Sequence, residues 1–261
     1  MEFFGYLASI FIGLILGLLG GGGSILSIPI LVYLFKVEPV QASAYSLFIV
    51  GVTSLVGAIP KYRQHLVNVR TGIMFGIPSI FSIFCTRKWV LPAIPDIIFT
   101  AGDIVFTKRL LVLGLFAVLM ILAAVPMIRG RKKFVSDNQR FRTFLVIIEG
   151  SIIGFLTGLV GAGGGFLIIP ALVLLTALPF KTAVGTSLFI ISINSLLGFV
   201  GDLLNFEMDW PFLLSISGLA IGGIVIGNYF SNHIAAAKLK IAFGWVTLFM
   251  GCYILFMEIN H

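Results

Sequence analysis

Charge is scarce in this chain: 10% of its 261 residues are Asp, Glu, Lys or Arg, against 59% hydrophobic. So few charges cannot coat a water-soluble globule of this length, which places the chain in a bilayer. Cysteine is scarcer still. Cys85 and Cys252 stand far apart and outside any Cys-x-x-Cys, so neither a disulfide scaffold nor a dithiol relay is indicated, and both read as apolar filler. His65 and His233 are isolated and His261 is terminal, so no Cys/His/Asp cluster has metal-ligand spacing. No set of nucleophile, base and orienting group argues for catalysis, and the expectation is a protein that is not an enzyme and carries no metal or cofactor. The alternating segments of a membrane barrel are missing too, which leaves an all-α membrane protein. Met1-Glu2-Phe3-Phe4 offers no basic region ahead of the first apolar stretch, so that stretch is expected to be a span and not a cleaved signal.

What the chain does have is a segment written twice. Gly17, Leu18, Gly20, Gly22, Gly23 and Pro29 recur 141 positions later as Gly158, Leu159, Gly161, Gly163, Gly164 and Pro170. The register holds downstream, where Ala42, Ser46 and Leu47 fall on Ala183, Ser187 and Leu188, and Ser54 and Gly57 fall on Ser195 and Gly198. Glycine-interrupted apolar segments at matching places in two halves point to the binding site of a secondary transporter.

Apolar runs between polar breaks place spans near 3–35 (interrupted at 20–23), 42–60, 71–86, 104–128, 143–178 (interrupted at 161–165), 183–200, 211–230 and 238–257. These make about eight transmembrane helices in two homologous halves, each with a Gly-broken first helix. The expected organisation is a first repeat over 1–128, a basic cytoplasmic linker over 129–142 and a second repeat over 143–261. The linker holds Arg129, Arg131, Lys132, Lys133, Arg140 and Arg142, and the positive-inside rule assigns it to the cytoplasm. These cations belong to span connections, which excludes a nucleic-acid face. Four crossings per half make the repeats parallel and an odd number makes them inverted; four plus four is preferred. That choice puts the acidic connection Asp202, Glu207, Asp209 on the same side as the basic linker. The stretch from Arg87 to Asp103, broken by Pro92 and Pro95, reads as a loop or an interfacial piece. Asp209-Trp210-Pro211 reads as a cap followed by an early helical proline. Gly13 and Gly17, Gly150, Gly154 and Gly158, and Gly223 and Gly227 have the spacing of close helix contacts.

Glycine costs about 1 kcal/mol relative to alanine inside a helix, so the run Gly20, Gly21, Gly22, Gly23 should open it. The segments restarting at Ser24 and after Gly161, Gly163, Gly164 and Gly165 would then present unpaired N–H groups at positive helix ends, which attract anions. About twenty residues beyond each run lie Ser46 in one copy and Thr186 and Ser187 in the other, whose hydroxyls can donate to an oxyanion in a dry site. Thr53, Asn194 and Ser195 follow on a similar helix face. The expected substrate-binding set is Gly20 to Ser24, Ser46, Gly161, Gly163, Gly164, Gly165, Thr186, Ser187 and Asn194. Glu149, an ionisable residue inside a span, is the candidate for proton coupling.

Gly-Leu-Val-Gly-Ala-Gly-Gly-Gly-Phe-Leu-Ile-Ile-Pro (158–170) with Ala-Val-Gly-Thr-Ser-Leu (183–188) resembles one half of the duplicated signature of the sulfite exporter TauE/SafE family. Gly-Leu-Leu-Gly-Gly-Gly-Gly-Ser-Ile-Leu-Ser-Ile-Pro (17–29) with Ala-Ser-Ala-Tyr-Ser-Leu (42–47) resembles the other. The resemblance implies a multi-pass permease of the cytoplasmic membrane moving sulfite, a sulfonate or a related organosulfur anion. Its partners are then a small anionic solute and membrane lipids, with no nucleic acid, and a homodimer is left open. Tyr45 stands where the second copy has Thr186, and Ser24 where it has Gly165, so the two half-sites differ. A passive anion channel is the alternative, and a membrane-embedded redox protein a more distant one.

Overall fold

The computed structural model describes residues 2–101, 104–129, 139–160, 164–176, 178–203 and 208–259. The described residues are helical almost throughout. Helix α1 (Glu2–Leu19) is followed by α2 (Gly22–Pro29), which runs on through a π turn, Ile30–Leu34. Next come α3 (Pro39–Arg63), α4 (Val69–Cys85), a second π turn (Thr86–Val90) and the single turn α5 (Leu91–Ala93). A short antiparallel ribbon, β1 (Ile97–Ala101) with β2 (Ile104–Thr107), precedes α6 (Lys108–Arg129). The remainder is α7 (Gln139–Val160), α8 (Gly165–Leu175), α9 (Phe180–Asp202), α10 (Trp210–His233) and α11 (Ala236–Ile259). Of the stretch expected as a loop or interfacial piece, the described residues 87–101 are the end of a helix and the first strand of a ribbon, and the span expected at 104–128 begins four residues late, after β2.

Local signals place several boundaries. The Glu38 carboxylate accepts from the Val40 and Gln41 N–H groups ahead of a proline at the first helical position, Pro39, and so starts α3. Asn68 caps α4 by accepting from Thr71 N–H; Asp209 caps α10 by accepting from Phe212 N–H, the cap that Asp209-Trp210-Pro211 predicts.

Among the described residues, six helices are long and apolar enough to cross a bilayer: α3, the α4–α5 stretch, α6, α9, α10 and α11. The other apolar helices are shorter, and they do not form two interrupted crossings. Instead α2 turns back along α1: a Cβ at Gly23 would overlap the Ile12 carbonyl, and one at Gly5 would meet the Phe35 ring. Tyr6 and Phe35 stack edge to face at 5.6 Å. The first apolar segment therefore enters and leaves at one end of the bundle, as a hairpin whose tip is Gly20 and Gly21. In the second half, α8 packs back against α7 and α9 in the same way. A hairpin plus three crossings reverses the direction of the chain, so the preference for four crossings per half is corrected. The physical reason is length: the 13 residues from Gly22 to Leu34 rise only about 20 Å, short of a ~30 Å core.

This path sorts the charges. Lys61, Arg63, Arg70, Arg129, Lys181, Lys238 and Lys240 lie at one end of the bundle, called here the basic end. Glu38, Asp96, Asp202, Asp209 and Glu258 lie at the opposite end with Lys36, Arg87, Lys88, Lys108 and Arg109. Asp202 and Asp209 of the acidic connection are thus across the bundle from Arg129, not beside it; Glu207 lies outside the described residues.

The halves exchange helices. α1 lies parallel to α10 and α7 parallel to α4, and glycine decides the approach. A Cβ at Gly13 would overlap the Ala220 carbonyl, and one at Gly154 the Ser79 carbonyl. Those two contacts are one contact under the 141-residue shift. Lipid tails are as apolar as leucine, so helices here associate by close packing, which small residues permit. α3 and α9 cross between the hairpins and are the most enclosed of the long helices.

Candidate functional site at the hairpin tips

The two tips meet inside the bundle. Gly20 (φ 74°) and Gly164 (φ 69°) both take the left-handed backbone that glycine allows, and each turns its chain into a new helix. A Cβ at Gly21 would overlap the Gly165 carbonyl, and one at Gly165 would overlap Gly21 Cα, so the tips touch backbone to backbone. α2 starts at Gly22 and α8 at Gly165, and neither has a side-chain cap. Two positive helix ends therefore face the contact with N–H groups unclaimed by any cap.

Hydroxyls surround it. Ser187 Oγ stands 3.1 Å from the position of a Cβ on Gly20 and donates to Val184 O at 2.8 Å. Ser24 donates to Gly21 O at 2.7 Å, and Ser27 to Ser24 O at 2.9 Å. Ser27 and Ser46 hydroxyls lie 2.6 Å apart; with the Ser27 proton on Ser24 O, Ser46 is the donor. The chain Ser46, Ser27, Ser24 thus ties α3 to the first tip, and all three side chains are fully buried. Each proton is spent within the protein, so this conformation is closed at the tips.

Of the predicted set, Gly20, Gly21, Gly22, Gly23, Ser24, Gly164, Gly165 and Ser187 lie at or beside the tips, and Ser46 is reached through Ser27. Gly161 and Gly163 lie outside the described residues. Thr186 turns elsewhere: its Oγ1 accepts from Asn68 N–H at 2.9 Å. Asn194 donates to Ser79 Oγ of α4 at 2.7 Å, and its Oδ1 is buried without a partner. Glu149 is half-buried on α7, away from the tips, and has no hydrogen-bond or ion-pair partner among the described residues. Ser27 escaped the sequence reading because its repeat mate is Ile168; only its position one turn after Ser24 marks it.

Thr186 belongs to a different device. Asn68 N–H to Thr186 at the basic end matches Asp209 N–H to the Tyr45 hydroxyl, 3.2 Å, at the opposite end, residue for residue under the shift of 141. In each case a helix-capping residue is latched by its own N–H to the neighbour of Ser187 or Ser46. Beyond the Tyr45 latch opens a cavity of about 500 Å³ lined by Lys36, Gln41, Tyr45 and Asp209 among others. Lys36, in a left-handed turn (φ 58°), also lines a neighbouring cavity of about 400 Å³ with Arg109. Removing the Thr186 acceptor leaves a half-buried N–H unpaired, at the lower end of about 1–3 kcal/mol, a factor of ten or so in opening. Thr186→Val is therefore expected to raise the labelling rate of a cysteine placed at Leu66 about tenfold, with Cys85 and Cys252 replaced. An unchanged rate would show that the contact does not hold the basic end shut.

A helical multi-pass membrane protein whose interior is made by two back-folded glycine tips is the class these features define. The family described as sulfite exporter TauE/SafE matches residues 6–254, and the chain belongs to it. A "probable membrane transporter protein" of Xylella fastidiosa is 28% identical over 253 residues, covering 94% of this chain and 91% of its own. The "probable membrane transporter protein YunE" of Bacillus subtilis is 25% identical over 266 residues, covering 94% and 95%. A relative of that description in Methanocaldococcus jannaschii is 29% identical over 206 residues, covering 74% and 71%. No solved structure matches. The protein is a membrane transporter.

Proposed function

We propose that this transporter is secondary and moves a small sulfur-containing anion, sulfite or a sulfonate or a related organosulfur compound, through the meeting point of the two tips. The observation that carries the reading is the contact of Gly21 with Gly165 between two uncapped helix starts, ringed by Ser24, Ser46 and Ser187. Helix N-termini bind oxyanions without a buried lysine, which keeps the solute weakly enough held to leave. The two halves, 1–128 and 143–261 joined by the linker 129–142, act as inverted repeats. Rocking of one against the other releases the Thr186 latch and the Tyr45 latch in alternation. The basic end faces the cytoplasm by the positive-inside rule, and the cavity at Tyr45 then opens outward.

The test is flux of labelled sulfite, with thiosulfate, sulfate and a sulfonate as comparisons, in proteoliposomes with and without a pH gradient. Saturable flux of one of them that collapses with the gradient is the expected result. Flux that neither saturates nor responds to the gradient would make the protein a channel, and none at all would remove this solute class.

A further inference from the structure

Lys61 is a charge at the end of an apolar helix, yet its side chain is only 2% exposed. Its ammonium donates to Ser231 Oγ at 3.3 Å and Asn232 Oδ1 at 3.2 Å, both on α10. An ammonium has three protons, so one is unspent, and neither acceptor carries charge. Lys181, in the first turn of α9, comes to the same place and donates to the Asn232 backbone carbonyl at 3.3 Å. Two cations converge on Asn232, and among the described residues no carboxylate pairs with either. The ion pairs described, Arg87 with Asp202 and Arg109 with Glu258, are at the other end.

The repeat makes the deficit plain. Under the shift of 141, Lys61 falls on Asp202 and Arg87 on Asn228. At the opposite end, then, the crossing of α9 with the extension of α4 holds a guanidinium and its carboxylate. At the basic end the same crossing holds a lysine and an amide, and the Asn228 Oδ1 is buried with no partner. A buried charge is tolerated when an opposite charge repays its desolvation. One end contains that charge and the other does not.

We infer that Lys61 and Lys181 form an anion-binding site at the basic end, taking a small oxyanion and favouring a doubly charged one. The assignment of that anion to the transported solute rests on the transporter reading above; the site itself does not. The turn 64–68 roofs it: Leu66 N–H donates to Lys61 O at 2.9 Å, and the Asn68 latch pins the turn to Thr186. Opening that latch admits the ligand, so the site is where solute meets the protein on this side before reaching the tips. A lipid phosphate has the same chemistry as a free oxyanion, and the experiment separates the two.

Purified protein in nanodiscs of phosphatidylcholine alone is titrated with sodium sulfate or sodium thiosulfate against sodium chloride at matched ionic strength, and the unfolding temperature is followed. A ligand of the folded state raises it. The expected result is a saturable rise with a dianion and none with chloride. The midpoint should weaken by about tenfold or more in Lys61→Met and by less in Lys181→Gln, which serves alone if the first variant does not fold. Wild-type curves in both variants, or no saturable rise in the wild type, would overturn the site. A rise that appears only when phosphatidylglycerol is added would assign the counter-charge to lipid and overturn it too. Flux measured on the same proteins separates the two ideas. Transport with sulfate binding indifferent to Lys61 sinks the site and spares the transporter reading, whereas binding through Lys61 with no anion carried does the reverse.

Discussion

Gly21→Ala is expected to stop transport while the protein still inserts and folds. The added methyl would overlap the Gly165 carbonyl, which belongs to backbone and cannot swing aside. Over-packing of this kind costs about 1–3 kcal/mol, too little to unfold a bundle held by many helix contacts. It falls wholly on the arrangement in which the tips touch. A cycle that passes through that arrangement loses roughly 5- to 150-fold in its population, and flux falls with it. Gly165→Ala should do the same from the other side, since its methyl would overlap Gly21. Gly218→Ala and Gly222→Ala are the controls, because a Cβ at either meets nothing within 4 Å. The measurement is initial flux in proteoliposomes, normalised to folded protein by size-exclusion chromatography. Equal flux in Gly21→Ala and Gly218→Ala would mean that the tips never need to meet.

The tips were legible because glycine runs have few uses inside a membrane segment and because the chain repeats them. Their geometry was less so. Hydropathy alone reads 3–35 as one interrupted crossing, since an apolar segment that folds back is as apolar as one that goes through. The signal that separates them is the short reach of Gly22 to Leu34, and it decides the direction of every later helix. Side-chain destinations were the least legible. Ser187 and Thr186 are adjacent, yet about 100° apart around α9, so one faces the Gly20 tip and the other the Asn68 turn. Asn194 shares the face of Ser187 by period, but by its level Ser79 of α4 is its neighbour. A sequence gives the angle of a residue around its helix; which helix stands opposite comes from the packing. Lys61 stands near Arg63 and Arg70 in the sequence, and nothing in those surroundings says that it would be buried.

Breaking the ion pair of Arg87 with Asp202 should cause the largest single loss of stability at the end opposite the basic one. Both groups are buried, and Arg87 also donates to Ser43 Oγ at 3.1 Å, so one guanidinium joins α9, α3 and the extension of α4. Asp202→Asn leaves a guanidinium in an apolar setting with a neutral neighbour, and Arg87→Met leaves a bare carboxylate. Each is expected to cost about 3–5 kcal/mol, read as a fall in unfolding temperature in detergent. The double variant removes both charges and should recover most of that loss, because what destabilises is the charge left alone and not the absence of the pair. Additive losses in the double variant would show instead that the two side chains act separately through packing. The comparison bears on the basic end as well. There the chain has in effect made the Asp202 replacement already, with Lys61 in that position and an amide for Arg87, and it has kept the resulting cation buried. If losing Asp202 is as costly as expected, an unpaired Lys61 is a cost that the fold accepts only when an anion comes to share it.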